Sequence, residues 1–160
     1  MDNDPVQPEK NAPKPDARRL KPERRALFVC HLHMGGPDGA AVEWRALHAP
    51  RFARRLEQMG VTHVTDTSQA DVIIITGLLT THNLEAVLGE LAGAPESSVL
   101  VAAGDTVIDG GIWSQLGMPG LNSQPLGHYA DVHVSVPGDP PTPQALIAAL
   151  AAAAGILNSR

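Results

Sequence analysis

Residues 71–76 constrain the fold more than any other segment, because they read Asp-Val-Ile-Ile-Ile-Thr. Four consecutive apolar, β-branched residues are typical of a strand that is covered on both faces of a parallel sheet. Shorter runs typical of strands lie at residues 25–30, 61–64, 99–103 and 132–136. The segments between most of these runs have helical patterns, so the sequence predicts an α/β fold.

Helices are predicted from apolar periodicity and from residues that favour helix ends. The helical patterns cover residues 40–47, 50–59, 80–91 and 143–157. Proline stands in the first turn of the second and fourth of these, and Thr142 is predicted to cap the last one. Together with the strands, they predict a three-layer, flavodoxin-like parallel sheet with helices on both faces.

Composition narrows the class of protein. A chain of 160 residues with one cysteine fits one domain that has neither an internal disulfide framework nor a four-thiolate metal site. Its formal net charge of −5 argues against a general nucleic-acid binder, so no nucleic-acid partner is expected. No apolar run reaches the roughly 20 residues of a membrane span, which predicts a soluble domain.

The first part of the chain differs from the rest in composition. Residues 1–25 hold five prolines and seven lysines or arginines. With few apolar residues, this part gains little from burial to offset the loss of conformational entropy on ordering. Residues 1–24 are therefore predicted to be a flexible, basic, proline-rich arm, and residues 25–160 the α/β domain. The arm is either a solubilising tail or a segment that orders along a partner.

A second basic segment lies inside the predicted domain. Arg51, Arg54 and Arg55 fall in one helical pattern, whereas residues 57–158 contain no lysine or arginine. A basic patch on an otherwise acidic body predicts contact with an anionic partner or a membrane surface. A solvated helix face is the alternative interpretation.

Three loops are expected to meet at one edge of the sheet, because ligand sites in such sheets lie beyond the carboxyl ends of the strands. These loops are rich in glycine or proline and cover residues 31–43, 104–113 and 137–143. Within them, Asp38, Asp105 and Asp139 offer the oxygen ligands that Mg²⁺ prefers. Acidic residues are also common in loops that bind nothing, so both interpretations stay open.

Histidine supplies another candidate ligand set near this edge. His31 and His33 share a face if the first strand extends that far, and Cys30 is adjacent. The sequence shows no third ligand, so two polar histidines at a strand end are the simpler interpretation. The spacing of the other histidines suggests no site; these are His48, His63, His82, His128 and His133.

Glycines at residues 35–39 precede a predicted helix, which is compatible with phosphate binding. The loop is neither a dinucleotide fingerprint nor a Walker loop, because it lacks the glycine spacing of the first and the lysine of the second. No nucleophile elbow occurs elsewhere in the chain. Nucleotide or flavin binding is therefore not the favoured interpretation.

Motifs in the predicted strand ends resemble a known family. Residues 70–77 read Ala-Asp-Val-Ile-Ile-Ile-Thr-Gly, Gly104-Asp-Thr106 is followed by Gly110-Gly111, and residues 136–143 read Val-Pro-Gly-Asp-Pro-Pro-Thr-Pro. In this order they resemble the 20-kDa subunit family of respiratory complex I, which includes the small subunits of membrane-bound group 4 [NiFe]-hydrogenases. The likeness covers roughly residues 25–155.

The chain departs from this family at the residues that matter most for its cofactor. Members of the family hold a [4Fe–4S] cluster with four cysteines. With Glu43 placed on the family's acidic residue, Pro37, Ala40, Thr106 and Asp139 stand at the cysteine positions. Iron–sulfur clusters need cysteine, or occasionally histidine, at their irons. The resemblance therefore implies a degenerate member without the cluster and with no other cofactor.

The resemblance also implies a role and a set of partners. It predicts a non-redox structural subunit of a membrane-associated complex, peripheral and on the cytoplasmic face, with no catalytic activity of its own. Its expected neighbours are a large hydrogenase-like or complex I-like subunit, a ferredoxin-like subunit and integral membrane subunits of a proton-pump type. The patch of Arg51, Arg54 and Arg55 would face the membrane-side partner.

Two other classes of function stay open at this point. One is a stand-alone domain that binds a small molecule or a cation at the loop edge around Asp105 and Asp139. The other is an enzyme that uses Asp105, Asp139 or His31, which predicts perturbed pKa values in an open pocket. The structural subunit predicts instead an apolar edge that a partner covers.

Overall fold

The computed structural model describes residues 25–36, 39–117 and 124–160, so the predicted arm and the candidate residues Pro37 and Asp38 lie outside the described part. Its strands are β1 (Leu27–His33), β2 (Val61–Val64), β3 (Val72–Thr76), β4 (Val99–Ala103) and β5 (Val134–Val136). Its α-helices are α1 (Gly39–Ala46), α2 (Pro50–Gln58), α3 (Leu84–Ala92), α4 (Asp105–Asp109), α5 (Gly111–Gln115) and α6 (Pro143–Asn158).

The strands form one parallel sheet in the order β2-β1-β3-β4-β5. This is the flavodoxin-like order, in which the chain reverses direction across the sheet between β1 and β3. All five residues of β3 are buried, as its unbroken apolar sequence predicts for the central strand. The predicted fold class is therefore confirmed.

Asp71, directly before β3, ties that strand to β1. Its backbone N–H donates to the carbonyl of Phe28 over 2.8 Å, and the backbone N–H of Phe28 donates to its carboxylate over 3.0 Å. A shift of β3 by one residue would break both bonds and turn its side chains to the opposite face. The aspartate of the Ala-Asp motif thus has a structural role.

The apolar side chains pack into two cores, one on each face of the sheet. On one face, Trp44, Leu56 and Leu150 bring α1, α2 and α6 against the strands. On the other face, Val87 of α3 and Val107 of α4 pack on the sheet. Both faces are therefore covered by helices, as the predicted three-layer architecture requires.

Two helix predictions need correction. α3 begins at Leu84 rather than at residue 80, because a turn precedes it. In this turn Asn83 Oδ1 accepts from the Thr80 N–H over 2.8 Å, and Thr80 Oγ1 accepts from the Asn83 N–H over 3.2 Å. The sequence also predicts a loop where α4 and α5 stand. Gly104 and Gly110, with φ of 104° and 87°, make the sharp turns that let these two short helices follow β4.

Two strand ends also differ from the prediction. β1 continues to His33, three residues beyond its predicted end, and its pairing with β3 continues to that residue. β5 begins at Val134, two residues later than predicted. The longer β1 places His31 and His33 within a strand, on one face of it, which the sequence left conditional.

The last helix, α6, agrees closely with its prediction. Thr142 caps it, since its hydroxyl oxygen accepts from the backbone N–H of Ala145 over 3.2 Å, and Pro143 stands in its first turn. α6 has 16 residues. Across the residues that the structure describes, no helix combines the length and the apolar character needed to cross a membrane.

Candidate functional site

The segments that follow β4 and β5 are joined by three hydrogen bonds at the carboxyl edge of the sheet. The Gly104 N–H donates to the carbonyl of Val136 over 2.8 Å, and the Asp105 N–H donates to the carbonyl of Gly138 over 3.2 Å. The Gly138 N–H in turn donates to the carboxylate of Asp105 over 2.7 Å. Asp105 is thus half-buried and bonded to the neighbouring loop.

Two of the predicted cluster positions contact each other at this edge. The Thr106 hydroxyl donates to the carboxylate of Asp139 over 3.1 Å. Thr106 is only 2% exposed, whereas Asp139 is exposed. The residues predicted at the third and fourth cysteine positions are therefore adjacent in space, although 33 residues separate them in the chain.

Ala40, which stands at the predicted second cysteine position, lies in a tightly packed part of the same edge. Ala40 is fully buried in the first turn of α1. A Cβ atom on the preceding Gly39 would lie 2.8 Å from the Cβ of Pro140, which follows Asp139. The segment that carries Ala40 thus packs directly against the loop that carries Asp139. The first cluster position, Pro37, lies outside the described residues.

A cleft of about 400 Å³ opens beside Asp105 and Asp139, and α4 and α5 supply the rest of its lining, including Asp109, Ile112 and Gln115. The structure therefore brings together two of the three aspartates of the cation hypothesis. The third, Asp38, is not among the described residues. Within the described ranges, no group of three or more His, Cys, Asp or Glu side chains is arranged to hold a metal ion. The cation site stays a prediction.

His31 and His33 converge on one buried hydroxyl. Nε2 of His31 lies 2.9 Å, and Nδ1 of His33 3.1 Å, from Oγ1 of Thr76, which is fully buried at the end of β3. A hydroxyl has a single proton, so Thr76 donates to at most one of the two rings and accepts from at least one of them. The two rings and this hydroxyl tie the end of β1 to the end of β3.

Replacing this hydroxyl by a methyl group is expected to destabilise the fold. Thr76→Val keeps the size and β-branched shape of the side chain but leaves two ring nitrogens without this partner, which costs about 1–3 kcal/mol. The control is Thr62→Val on β2, where Thr62 is exposed and a change within about 0.5 kcal/mol is expected. Urea unfolding of both variants measures the difference. Equal stabilities would contradict the role assigned to Thr76.

Cys30 does not join the two histidines. It packs in the core on the opposite face of the sheet, with neighbours such as Ile73 and Ile75. Burial, and then the charges of Glu90 and Asp66, raise the pKa of its thiol above the ordinary value. The thiol therefore stays protonated at neutral pH, which is unfavourable for a metal ligand. The interpretation of Cys30 as a small core residue is the one that fits.

The glycine-rich segment after β1 is anchored to the end of β3. The Asn83 side-chain amide donates to the carbonyls of Met34 and Leu78 over 2.8 and 2.9 Å. Gly77 has a φ of 99° and lies close to Gly35: a Cβ atom on Gly77 would lie 2.7 Å from the carbonyl oxygen of Gly35. The two loops therefore form one packed unit, and binding of a phosphate by the segment stays a prediction.

The basic helix α2 exposes the side chains that the sequence singles out. Arg51, Arg54 and Arg55 are exposed, whereas Leu56 is buried in the core. The Arg51 guanidinium carbon lies 5.1 Å from the centre of the Phe52 ring, close enough for a cation–π contact. The three arginines are thus accessible to a partner, and their role in binding one stays a prediction.

Sequence reasoning missed a pair of histidines that the fold brings together. Nε2 of His48 lies 2.8 Å from Nε2 of His63, and both side chains are exposed. The Trp44 ring packs nearly edge-on against both imidazoles, at centroid distances of 5.8 and 5.5 Å. Partial desolvation of the ring, and then the neighbouring His48, lower the pKa of His63. The two histidines are 15 residues apart with a helix between them, and this separation matches no spacing typical of metal ligands. Only the position of β2 beside α1 in the fold reveals the pair.

The sheet order and the contacts at its carboxyl edge define a doubly wound α/β domain whose loops carry the Gly-Asp-Thr and Pro-Gly-Asp-Pro-Pro motifs. The sequence pattern of the family described as NADH ubiquinone oxidoreductase, 20 Kd subunit, matches residues 38–153. The chain therefore belongs to this family, and the resemblance seen in the motifs is confirmed.

Individual relatives agree with this family. The chain is 31% identical to the probable membrane-bound hydrogenase subunit mbhJ of Pyrococcus furiosus, over 77% of this chain and 71% of the relative. It is 30% identical to the uncharacterized protein MJ0516 of Methanocaldococcus jannaschii, over 78% and 80%. Formate hydrogenlyase subunit 7 of Escherichia coli is 28% identical over 90% of this chain, which spans 54% of that protein.

Solved structures show the same fold. A chain in the structure of the membrane-bound sulfane sulfur reductase, described as an archaeal respiratory membrane complex, superimposes with a TM-score of 0.68 at 23% identity. The match covers 85% of this chain and 72% of that one. A chain of an NAD⁺-reducing [NiFe]-hydrogenase superimposes with a TM-score of 0.57 at 19% identity, over 75% and 86%. At these identities the likeness concerns the fold.

Proposed function

We propose that this chain is a structural subunit of a membrane-associated assembly of the complex I and group 4 hydrogenase type, and that it holds no [4Fe–4S] cluster. The hydrogen bond between Thr106 and Asp139 carries the proposal, because it joins two of the family's ligand positions to each other. Membership of the family and the printed descriptions of the hydrogenase relatives support the type of assembly.

The side chains at the ligand positions do not fit an iron–sulfur cluster. Such a cluster is held by thiolates, with histidine as an occasional substitute. Pro37 and Ala40 have no ligand atom, Thr106 donates its proton to Asp139, and the carboxylate of Asp139 prefers harder cations than iron bound to sulfide. The single thiol of the chain, Cys30, is buried in the core on the face of the sheet opposite to His31 and His33. No electron step is assigned to this subunit.

What the edge offers instead is a preformed surface for a neighbouring subunit. The hydrogen bonds among the segments after β4 and β5 fix their backbones before any partner binds, which lowers the entropic cost of association. Ile112 and Leu116 at α5 are each 61% exposed, and Ile112 lines the cleft beside Asp105 and Asp139; Val42 on α1 is exposed to the same extent. Large apolar side chains exposed beside a cleft are typical of an interaction site. We assign them to the large subunit.

The basic helix provides a second contact of different chemistry. Arg51, Arg54 and Arg55 offer three exposed cations on a chain whose net charge is −5. Such a local charge orients an acidic body towards an anionic surface or partner. We assign this helix to the membrane-side subunits on the cytoplasmic face, and the arm at residues 1–24 to contact with a neighbouring subunit.

Purification from native membranes through a tag at the C-terminal end tests the assembly. We expect mass spectrometry to identify a hydrogenase-like or complex I-like large subunit and integral membrane subunits of a proton-pump type. Ile112→Glu/Leu116→Glu is expected to lose at least about 90% of the large subunit, because two charges would be buried at the interface. Ala92→Glu, at an exposed residue of α3, is the matched control and keeps it.

The basic helix has its own variant in this experiment. Arg51→Ala/Arg54→Ala/Arg55→Ala is expected to keep the large subunit and to lose membrane subunits, with a loss that grows at higher salt. Recovery of the unmodified chain alone from the soluble fraction would overturn the proposal. The cleft beside Asp105 and Asp139 would then favour the other candidate, a stand-alone domain that binds a small molecule or a cation.

A further inference from the structure

His48 and His63 form an accessible pair of imidazoles away from the loop edge. His48 lies in the turn between α1 and α2, and His63 lies on the edge strand β2, opposite Val29 of β1. Their Nε2 atoms face each other at 2.8 Å, and their ring centroids are 4.3 Å apart. The backbone of His48 is held between two helices and that of His63 is paired in the sheet, so the fold brings the two Nε2 atoms close together.

Contacts behind the pair hold both rings in place. Nδ1 of His48 lies 3.3 Å from the backbone carbonyl of Arg45, to which it donates, and this leaves a lone pair on Nε2. Metal-binding histidines very often use their second ring nitrogen in this way. The Trp44 ring, 3% exposed, packs nearly edge-on against both imidazoles. The rings therefore have little freedom to lose when a ligand binds.

We propose that His48 and His63 bind a divalent transition metal through their two Nε2 atoms, with Cu²⁺ and then Ni²⁺ as the preferred ions. Imidazole nitrogen suits both ions, and Cu²⁺ binds such ligands most tightly among the first-row divalent metals. In the metal-free pair one ring donates its Nε2 proton to the other. Metal binding requires that ring to carry its proton on Nδ1 instead, so no net proton is released from a neutral pair.

The distance between the two nitrogens favours the geometry of these ions. Two imidazole nitrogens at about 2.0 Å from a metal are about 2.8 Å apart in neighbouring positions of a square-planar or tetragonal site, but about 3.3 Å apart in a tetrahedral one. The hydrogen bond between the metal-free rings holds the two nitrogens at 2.8 Å, which is the separation that the first arrangement needs. Among the described residues no third His, Cys, Asp or Glu completes a site, so water fills the other positions and the ion exchanges readily.

Trp44 provides a direct reporter for this site. The chain has two tryptophans, Trp44 and Trp113, so Trp113→Phe leaves Trp44 as the single tryptophan, which excitation at the red edge of the absorption band selects over tyrosine. In this background we expect Cu²⁺ to quench the fluorescence of Trp44 with one equivalent per chain. His48→Gln and His63→Gln are each expected to weaken the apparent Kd about tenfold or more, because each removes one of two protein ligands. The Cu²⁺ electron paramagnetic resonance spectrum should show nitrogen coupling that both substitutions reduce.

Two controls make the experiment decisive. His128→Gln removes an exposed histidine of the turn before β5 and should leave the titration unchanged. His31→Gln tests whether Cu²⁺ bound at His31 causes the quenching instead, because the His31 ring also lies 5.6 Å from that of Trp44. Circular dichroism verifies that each variant is folded. Quenching that survives both His48→Gln and His63→Gln, or that His31→Gln abolishes, would overturn the proposal, which is independent of the function proposed above.

Discussion

Cysteine at all four predicted ligand positions is expected to give cluster binding. The variant Pro37→Cys/Ala40→Cys/Thr106→Cys/Asp139→Cys should take up about four irons and four sulfides per chain on anaerobic reconstitution, because the segments that carry Ala40, Thr106 and Asp139 meet at one edge of the sheet. Thr106 and cysteine are similar in size, so this buried position tolerates the change. Iron and acid-labile sulfide analysis, together with visible absorption, measures the result.

The comparison with partial variants shows whether the thiolates alone are missing. Asp139→Cys by itself supplies one ligand and is expected to bind no cluster, as is the unmodified chain. Cluster binding by either of these would contradict the proposed loss of the cofactor. Failure of the four-cysteine variant, in protein that remains folded, would mean that the edge has lost the geometry of the site as well as its ligands.

Two glycine-to-alanine substitutions are expected to change stability in opposite directions. Gly77→Ala should destabilise the fold by about 2–6 kcal/mol, which combines backbone strain at φ of 99° with the close approach to the Gly35 carbonyl. Gly89→Ala should stabilise it by about 0.5–1 kcal/mol, because Gly89 lies inside α3 and a Cβ there meets nothing within 4 Å.

Chemical denaturation of both variants measures the changes in the free energy of unfolding. Both variants replace glycine by alanine. Only the position differs, so a general effect of removing glycine cannot account for opposite signs. Loss of stability at Gly89 or none at Gly77 would contradict the packing described between the loops that follow β1 and β3. The expected cost at Gly77 also explains why the Thr-Gly end of this motif requires glycine.

The central strand and the edge loops could be read from the sequence because their signals are local. A run of β-branched residues identifies β3 wherever the rest of the chain lies, and prolines and glycines mark the loops beyond β4 and β5. The order of the motifs then indicated the family. The Thr106–Asp139 contact follows from that order, because parallel strands bring their carboxyl ends to one edge.

Other features were beyond sequence reasoning because they depend on tertiary contacts. The start of α3 was predicted too early, since the side chains of Thr80 and Asn83 bond to each other's backbone and replace a helical turn. α4 and α5 are short helices between glycines, which local patterns do not separate from a loop. The contact between His48 and His63 depends on where β2 pairs with β1, and the spacing of residues in the sequence does not reveal that pairing.

The place of α6 in the chain has a consequence for synthesis on the ribosome. α6 follows every strand, yet its residues Leu146 and Leu150 are fully buried beneath the sheet beside Trp44. The opposite face is covered mainly by α3 and α4, which leave the exit tunnel earlier. One side of the nascent sheet can therefore close during translation, while the other, which α1 and α2 cover only in part, keeps apolar surface exposed until α6 emerges. That interval is when the growing polypeptide most needs a chaperone or a waiting partner subunit.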